Sequence, residues 1–343
     1  MKVLVTGNNG YIGTMLTQLL LNKGHSVIGL DTNYYDGCEF SEFAYLQLKQ
    51  ISKDIRTVSA KDLAGADAVI HLAALSNDPL GAFDAKLTDD INYLATVRLA
   101  KLAKEAGIRR FLYASSCSMY GIAGKEAVTE DSPLAPATEY AISKVKSEEA
   151  LTKMASSNFS PVYLRAATAY GVAPMLRCDL VVNNLTGWAY TTGKIRIMSD
   201  GTPWRPTIHV EDLSKAYIAC LDAPIELVHN EAFNVGQNKE NYQIKGIAEV
   251  VKKIVPGCTV EYTYEHGSDS RTYNVNFDKI SKKLKGFFKP EWDVEKGVRQ
   301  LYEAFKAHGL TLEEFTGNKY IRLNQLKVLM DKKAIDDKLF WRG

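Results

Sequence analysis

Three observations predict an α/β chain built on a doubly wound parallel sheet. Strand-like and helix-like segments alternate through roughly the first 170 residues, and the first strand runs straight into a glycine-spaced turn and a helix. Beyond residue 170 the strands become sparser, which reads as a smaller C-terminal α/β region lying over the carboxyl ends of the sheet. Strands are expected at 2–6, 26–30, 68–72, 110–114 and 162–165, with helices at 11–22, 91–105 and 139–155. The segment 89–107 carries an apolar stripe at 91, 94, 95, 99, 102 and 103, an acidic start and a closing glycine, the marks of a crossover helix. Later strands are expected at 194–197, 232–235 and 259–264, among helices near 180–192, 211–222, 243–255 and 293–307. The last thirty residues read as a charged helical add-on with no visible chemistry.

The first strand leads into VLVTGNNGYIG, residues 3–13. A strand, then Gly-x-x-Gly-x-x-Gly, then an apolar helix makes a Rossmann-type phosphate cradle. Gly7 supplies the sharp turn, Gly10 lets backbone N–H groups approach a pyrophosphate, and Gly13 lets the helix pack closely on the strand. Tyr11 and Ile12 complete that set. The second strand ends in Asp31, eighteen residues after Gly13. A carboxylate there accepts both ribose hydroxyls of an adenosine and repels a 2′-phosphate, so the expected cofactor is NAD rather than NADP.

The strongest chemical signal is Tyr140-Ala-Ile-Ser-Lys144. Residues four apart share a helix face, so phenol and ammonium point into one space, and the ammonium is expected to draw the phenol's pKa toward neutrality. Upstream, the strand at 110–114 ends in Ser115-Ser116-Cys117-Ser118-Met119-Tyr120-Gly121, at the sheet edge where open α/β folds place their reactive groups. A serine hydroxyl there can hold a substrate oxygen beside Tyr140. Cys117 reads as a buried, inert thiol or, alternatively, a thiolate base for epimerising a carbon next to a ketone, and Asp212 as a helix-start carboxylate.

Bulk properties narrow the class. A net charge of +2 gives no general attraction to nucleic acid or membranes, and the longest apolar runs are strand-sized. The first strand begins one residue after Met1, where a signal peptide would have to lie. Five scattered cysteines without a Cys-x-x-Cys pair suit a reducing cytoplasm and provide neither a disulfide framework nor a metal site.

The ordered set TGNNGYIG, Asp31, Asp54-Ile55, His71-Leu-Ala-Ala74, Asn92, SSCSMYG, YAISK and RPTIHVEDL (205–213) resembles the extended short-chain dehydrogenase/reductases of the nucleotide-sugar epimerase/dehydratase group. The resemblance implies a catalytic triad of Ser116, Tyr140 and Lys144, with Lys144 also on the cofactor ribose. It implies Asp54 and Ile55 at the adenine, Leu72, Ala73 and Ala74 along the middle of the cofactor, and Asn92 supporting the site. Ser76, Ser116, Asn184, Leu185, Arg205 and Arg271 would meet a nucleotide-diphosphate sugar. Residues 1–170 would form the NAD-binding domain, 171–310 the nucleotide-sugar region with some strands returning to the main sheet, and 311–343 an extension. A homodimer through the helices near 91–105 and 139–155 is the family's expectation.

Two departures bear on the reaction. The family's dehydratases carry Asp-Glu after the catalytic hydroxyl residue, where this chain has Cys117 and Ser118, so elimination of water is disfavoured. In LRAATAYG (164–171), alanines and Thr168 replace the bulky residues and Asn usual in 4-epimerases, leaving the sugar open. The leading expectation is an NAD-dependent nucleotide-sugar epimerase working through a transient keto-sugar. The alternatives are a net ketoreductase or dehydrogenase on the same scaffold, and a non-catalytic binding protein that kept the fold.

Overall fold

The computed structural model describes residues 1–42, 48–122, 126–264 and 272–342. Its strands are β1 (Lys2–Thr6), β2 (Ser26–Asp31), β3 (Lys49–Ser52), β4 (Ala68–His71), β5 (Arg110–Ser116), β6 (Ser160–Ala166), β7 (Thr168–Tyr170), β8 (Lys194–Ile197), β9 (Trp204–His209), β10 (Glu231–Val235), β11 (Asn241–Gln243) and β12 (Thr259–Tyr262). Seven of them form the main sheet in the order β10-β6-β5-β4-β1-β2-β3, with every neighbouring pair parallel. From β1 the chain moves to β2 on one side and reaches β4 on the other. The strand order therefore reverses between β1 and β4, and the helices diverging there open a crevice at the strands' carboxyl ends.

The period-two alternation of the strands divides the core between the two faces of the sheet. Val3 and Val5 of β1 are buried on one face with Leu16 and Leu20 of the helix Tyr11–Asn22 and Leu213 and Tyr217 of the helix Val210–Asp222. Leu4, between them, is buried on the other face with Val69, Phe111, Leu99 and Leu151. A register slip of one residue would exchange these faces, so the alternation fixes the pairing Leu4–Ile28 and Leu4–Val69. A third core, around Val182, Ile195, Ile247, Val251, Val298 and Phe305, supports a two-stranded sheet (β12-β8), while β11-β9-β7 forms a small sheet beside it.

The crossover before β5 is not the single expected helix. Ala85–Thr88 is followed by a π-helical turn over Asp89–Leu94, and only then by an α-helix, Ala95–Glu105. The strands β3, β7, β9 and β11 were not anticipated either. β3 and β11 are short and polar, and β9 carries Pro206, which reads against a strand.

Candidate active site

The first glycine of the cradle is required by the backbone. Gly7 has φ of +75°, and a Cβ there would lie 2.8 Å from the Ala73 nitrogen in the loop after β4. A Cβ on Gly13 would lie 2.0 Å from the Gly7 carbonyl oxygen and 2.7 Å from Asn8, so Gly13 packs the helix onto the cradle loop rather than onto the strand, as had been expected. The start of the helix Tyr11–Asn22 faces the crevice, where its unpaired N–H groups and positive end favour an anion.

The crevice has two adjoining halves that share Tyr11, Ile12, Leu72, Ala74, Ser76 and Arg177. The first half holds the dinucleotide candidates Gly7, Gly10, Gly13, Asp31, Asp54, Ile55, Ala73 and Ala74. The Asp31 carboxylate accepts the N–H of Asn9 and of Asn33, each at 3.0 Å, one per oxygen, which leaves lone pairs on both for hydroxyl donors. Burial raises its pKa, opposed by these bonds and by Arg322. Asp54 caps the 3₁₀ turn Ile55–Thr57 and grips Arg56 through two bonds of 2.9 and 2.7 Å.

The second half gathers Ser116, Tyr140 and Lys144, with Ala166, Ala167, Thr168 and Ala169 along one wall. Thr138 begins the helix Glu139–Met154 by accepting the Ala141 N–H, and its own hydroxyl donates to Asp78 at 2.6 Å. This fixes Tyr140 in the first turn and Lys144 one turn on. Ser116 ends β5; its hydroxyl accepts the Ser118 N–H and lies on the Tyr140 side of the crevice.

The electrostatics depart from expectation. Burial pushes the Tyr140 phenol above the ordinary tyrosine value, and the neighbouring Ser116 hydroxyl pulls it only partway back. Lys144 does not offset this, because it is itself only 3 % exposed and burial lowers its pKa from 10.5 to about 7. Its Nζ donates to the Ala114 carbonyl at 2.7 Å and lies 5.5 Å from the centre of the Tyr140 ring.

Asn92 is buried and does not line the crevice; its position is supporting. Its side-chain oxygen accepts the Leu75 N–H at 2.8 Å, and its amide donates to Leu75 O at 3.1 Å and Ser143 Oγ at 3.2 Å. It thus ties the loop after β4 to the helix bearing Tyr140. The Asn92 carbonyl accepts the Thr96 hydroxyl, so Thr96 must accept from His71 Nε2, and His71 Nδ1 accepts from Thr6. Burial holds His71 neutral, with a pKa pushed down to about 3.

Among the substrate candidates, Ser76 and Arg205 line the crevice. Asn184 and Leu185 do not: the Asn184 amide donates to Cys178 O and Leu185 is buried in the third core, while Leu180 and Val181 take the crevice wall instead. Arg271 lies outside the described residues. Cys117 is 1 % exposed, with its thiol donating to Arg165 O and its pKa raised by burial. Asp212 does not cap its own helix, since His209 does so; its buried carboxylate accepts the N–H groups of Glu291 and Trp292, both at 2.9 Å.

Two arginines were missed. Arg177 enters both halves, donates to Ser76 Oγ at 3.0 Å and forms a bidentate pair with Asp179 at 2.9 and 2.9 Å. Arg322 comes from the C-terminal extension and lines the dinucleotide half, so the extension is not devoid of chemistry at the site. An Arg-x-Asp spacing was the one sequence signal for the first; nothing local marks the second.

Among the described residues no group of three or more His, Cys, Asp or Glu side chains could hold a metal, and no helix is long and apolar enough to cross a membrane.

A family model described as the NAD dependent epimerase/dehydratase family matches residues 3–236. The UDP-glucuronate 4-epimerase of Thermodesulfobacterium geofontis is 28% identical over 322 residues, covering 87% of this chain and 94% of that protein. The UDP-glucose 4-epimerase of Bacillus subtilis is 26% identical over 334 residues, covering 88% of this chain and 94% of its own. The solved structure of the UDP-glucuronic acid 4-epimerase from Bacillus cereus, in complex with UDP-glucuronic acid and NAD, superposes with a TM-score of 0.76. It is 26% identical and covers 90% of this chain and 99% of that one.

Proposed function

Because this chain belongs to the NAD dependent epimerase/dehydratase family, we propose that it is an NAD-dependent nucleotide-sugar epimerase acting through a transient keto-sugar. The single observation that carries the reading is one crevice containing both the glycine cradle with Asp31 and the Ser116–Tyr140–Lys144 cluster. The crevice residues fit NAD: a carboxylate sits where ribose hydroxyls would lie, and a helix N-terminus sits where the pyrophosphate would lie. When bound, NAD would supply reversible redox chemistry at the sugar carbon. The chain's own part is acid–base and positional. Tyr140 takes the proton from a sugar hydroxyl and returns it, Ser116 holds the oxygen, and Lys144 positions the ribose. Ser76 and Arg205, with Arg271, are the substrate-binding candidates that remain, and a guanidinium fork suits a diphosphate.

Elimination of water is disfavoured by the replacement of the dehydratase Asp-Glu pair with Cys117, whose thiol is buried and bound to a backbone carbonyl, and Ser118. The small wall at 166–169 supports a roomy sugar pocket. We assign residues 1–170 to the cofactor, 171–310 to the nucleotide sugar and 311–343 to an extension. We assign the enzyme to the cytoplasm and propose dimerisation through the helices Ala95–Glu105 and Glu139–Met154, which exposed Leu94 at their edge supports.

The test is incubation with UDP-glucose, UDP-glucuronate and other nucleotide sugars. Conversion at constant NADH absorbance is expected, whereas an absorbance change in step with product would make the enzyme a net oxidoreductase. Tyr140→Phe is expected to lower turnover by about 100-fold or more with NAD binding intact. Turnover near wild type would exclude the mechanism.

A further inference from the structure

Among the described residues, Arg322 is the one residue of the C-terminal extension that lines the crevice, and its surroundings are unusual for a guanidinium. It is 2 % exposed, stands 4.1 Å over the Tyr35 ring and donates through Nη2 to the Met175 carbonyl at 2.9 Å. Its Nη1 is buried without a hydrogen-bond partner among the described residues. Nor does it form an ion pair there, in contrast to Arg177, whose charge is matched by Asp179. Burying an unmatched cation is costly, so the arrangement has an open requirement for an anion.

The crevice says what anion fits. Arg322 lines the same half as Gly7, Gly10 and Gly13, so it shares a space with a helix N-terminus that also favours negative charge. Its charged electrostatic neighbours are Asp31 toward the adenosine end, and Arg177 with its partner Asp179 toward the sugar half. In a dinucleotide, the group between the adenosine ribose and the reactive end is the pyrophosphate.

The extension also holds Arg322 against the cofactor half. Gln325 Nε2 donates to Tyr34 O at 3.2 Å, and Trp341 Nε1 donates to Thr32 O at 2.6 Å. Tyr34 donates to Leu339 O, and the Arg56 guanidinium lies 3.8 Å over the Phe340 ring. All four contacts are with the segments following β2 and β3, beside the Asp31 and Asp54 carboxylates.

We propose that Arg322 is a cofactor-binding residue that clamps the dinucleotide pyrophosphate opposite the glycine cradle, making the C-terminal extension part of the NAD site. The inference rests on the NAD reading above, and the wild-type chain tests that reading separately.

The experiment measures binding of NAD, ADP-ribose and adenosine to nucleotide-stripped wild type, Arg322→Met and Arg322→Lys by calorimetry, with thermal melts of each chain without ligand. In Arg322→Met, NAD and ADP-ribose are expected to bind at least about tenfold more weakly, while adenosine stays within about twofold. The unliganded melting temperature should hold or rise, because an unmatched buried charge has been removed. Arg322→Lys should recover part of the loss, since it keeps the charge without the fork. The proposal is overturned if NAD affinity is unchanged in Arg322→Met, or if adenosine weakens as much as NAD. It is also overturned if both variants melt far below wild type, for Arg322 would then serve packing alone. If Arg322→Met does not fold, the ratio of ADP-ribose to adenosine affinity in Arg322→Lys decides, and an unchanged ratio rejects the clamp. Wild type that fails to bind NAD would instead refute the cofactor assignment.

Discussion

Asp31 and Lys144 illustrate how far a single residue's environment departs from its chemistry in water. Asp31 spends one lone pair of each oxygen on a backbone N–H and keeps the rest for the crevice, so its negative charge stays where a 2′-phosphate would sit. Asp31→Asn is expected to narrow the preference for NAD over NADP by about tenfold or more, read from the two dissociation constants. Lys144 illustrates linkage. Its folded pKa, about 7, lies below the unfolded value of 10.5, so between these pH values the unfolded chain binds more protons. Its contribution to stability is therefore fully present above 10.5 and is lost as pH falls toward 7. Between pH 7 and 10, the unfolding free energy of wild type should rise relative to Lys144→Met by up to about 4 kcal/mol, measured by denaturant titration. The sequence located Tyr140 and Lys144 correctly on one face. It could not tell that the desolvation of both groups outweighs their mutual influence, because burial depends on what packs around the helix.

At the scale of elements, the crossover into β5 is the instructive case. Its apolar stripe predicts one continuous helix, yet the first part is a π-helical turn. That turn displaces backbone carbonyls from the regular ladder, and the Asn92 carbonyl receives hydroxyls from both Thr96 and Ser147. The Asn92 side chain meanwhile satisfies both backbone groups of Leu75. Asn92→Ala should cost about 2–3 kcal/mol in urea unfolding, because two buried backbone groups lose their partners. A cost below about 0.5 kcal/mol would show that the clip is dispensable. Strands β3 and β11 were illegible for a related reason: they are short, mostly polar strands at sheet edges, which leaves no apolar pattern.

Across the whole molecule, the crevice is built from segments far apart in the chain: the cradle at 7–13, the loop after β4, the turn after β5, Arg177 and Arg322. A ligand that bridges them stabilises the fold as a unit. With NAD at about 100 times its dissociation constant, the unfolding free energy should rise by about 2.7 kcal/mol, with a matching increase in melting temperature. A transition that does not move with NAD concentration would argue against the assigned cofactor.

The parallel sheet and the cluster Ser116–Tyr140–Lys144 were readable from residues 1–170, because local periodicity and short spacings encode them, whereas the order of the strands was not. Which residues of the second half face the crevice was not readable. Asn184 and Leu185 turn away, Leu180 and Val181 turn inward, and a guanidinium more than 290 residues beyond Asp31 reaches the cofactor half. These outcomes depend on how helices pack over the sheet and how the chain's end folds back. Such long-range placement leaves no periodic trace in the sequence around any one of those residues.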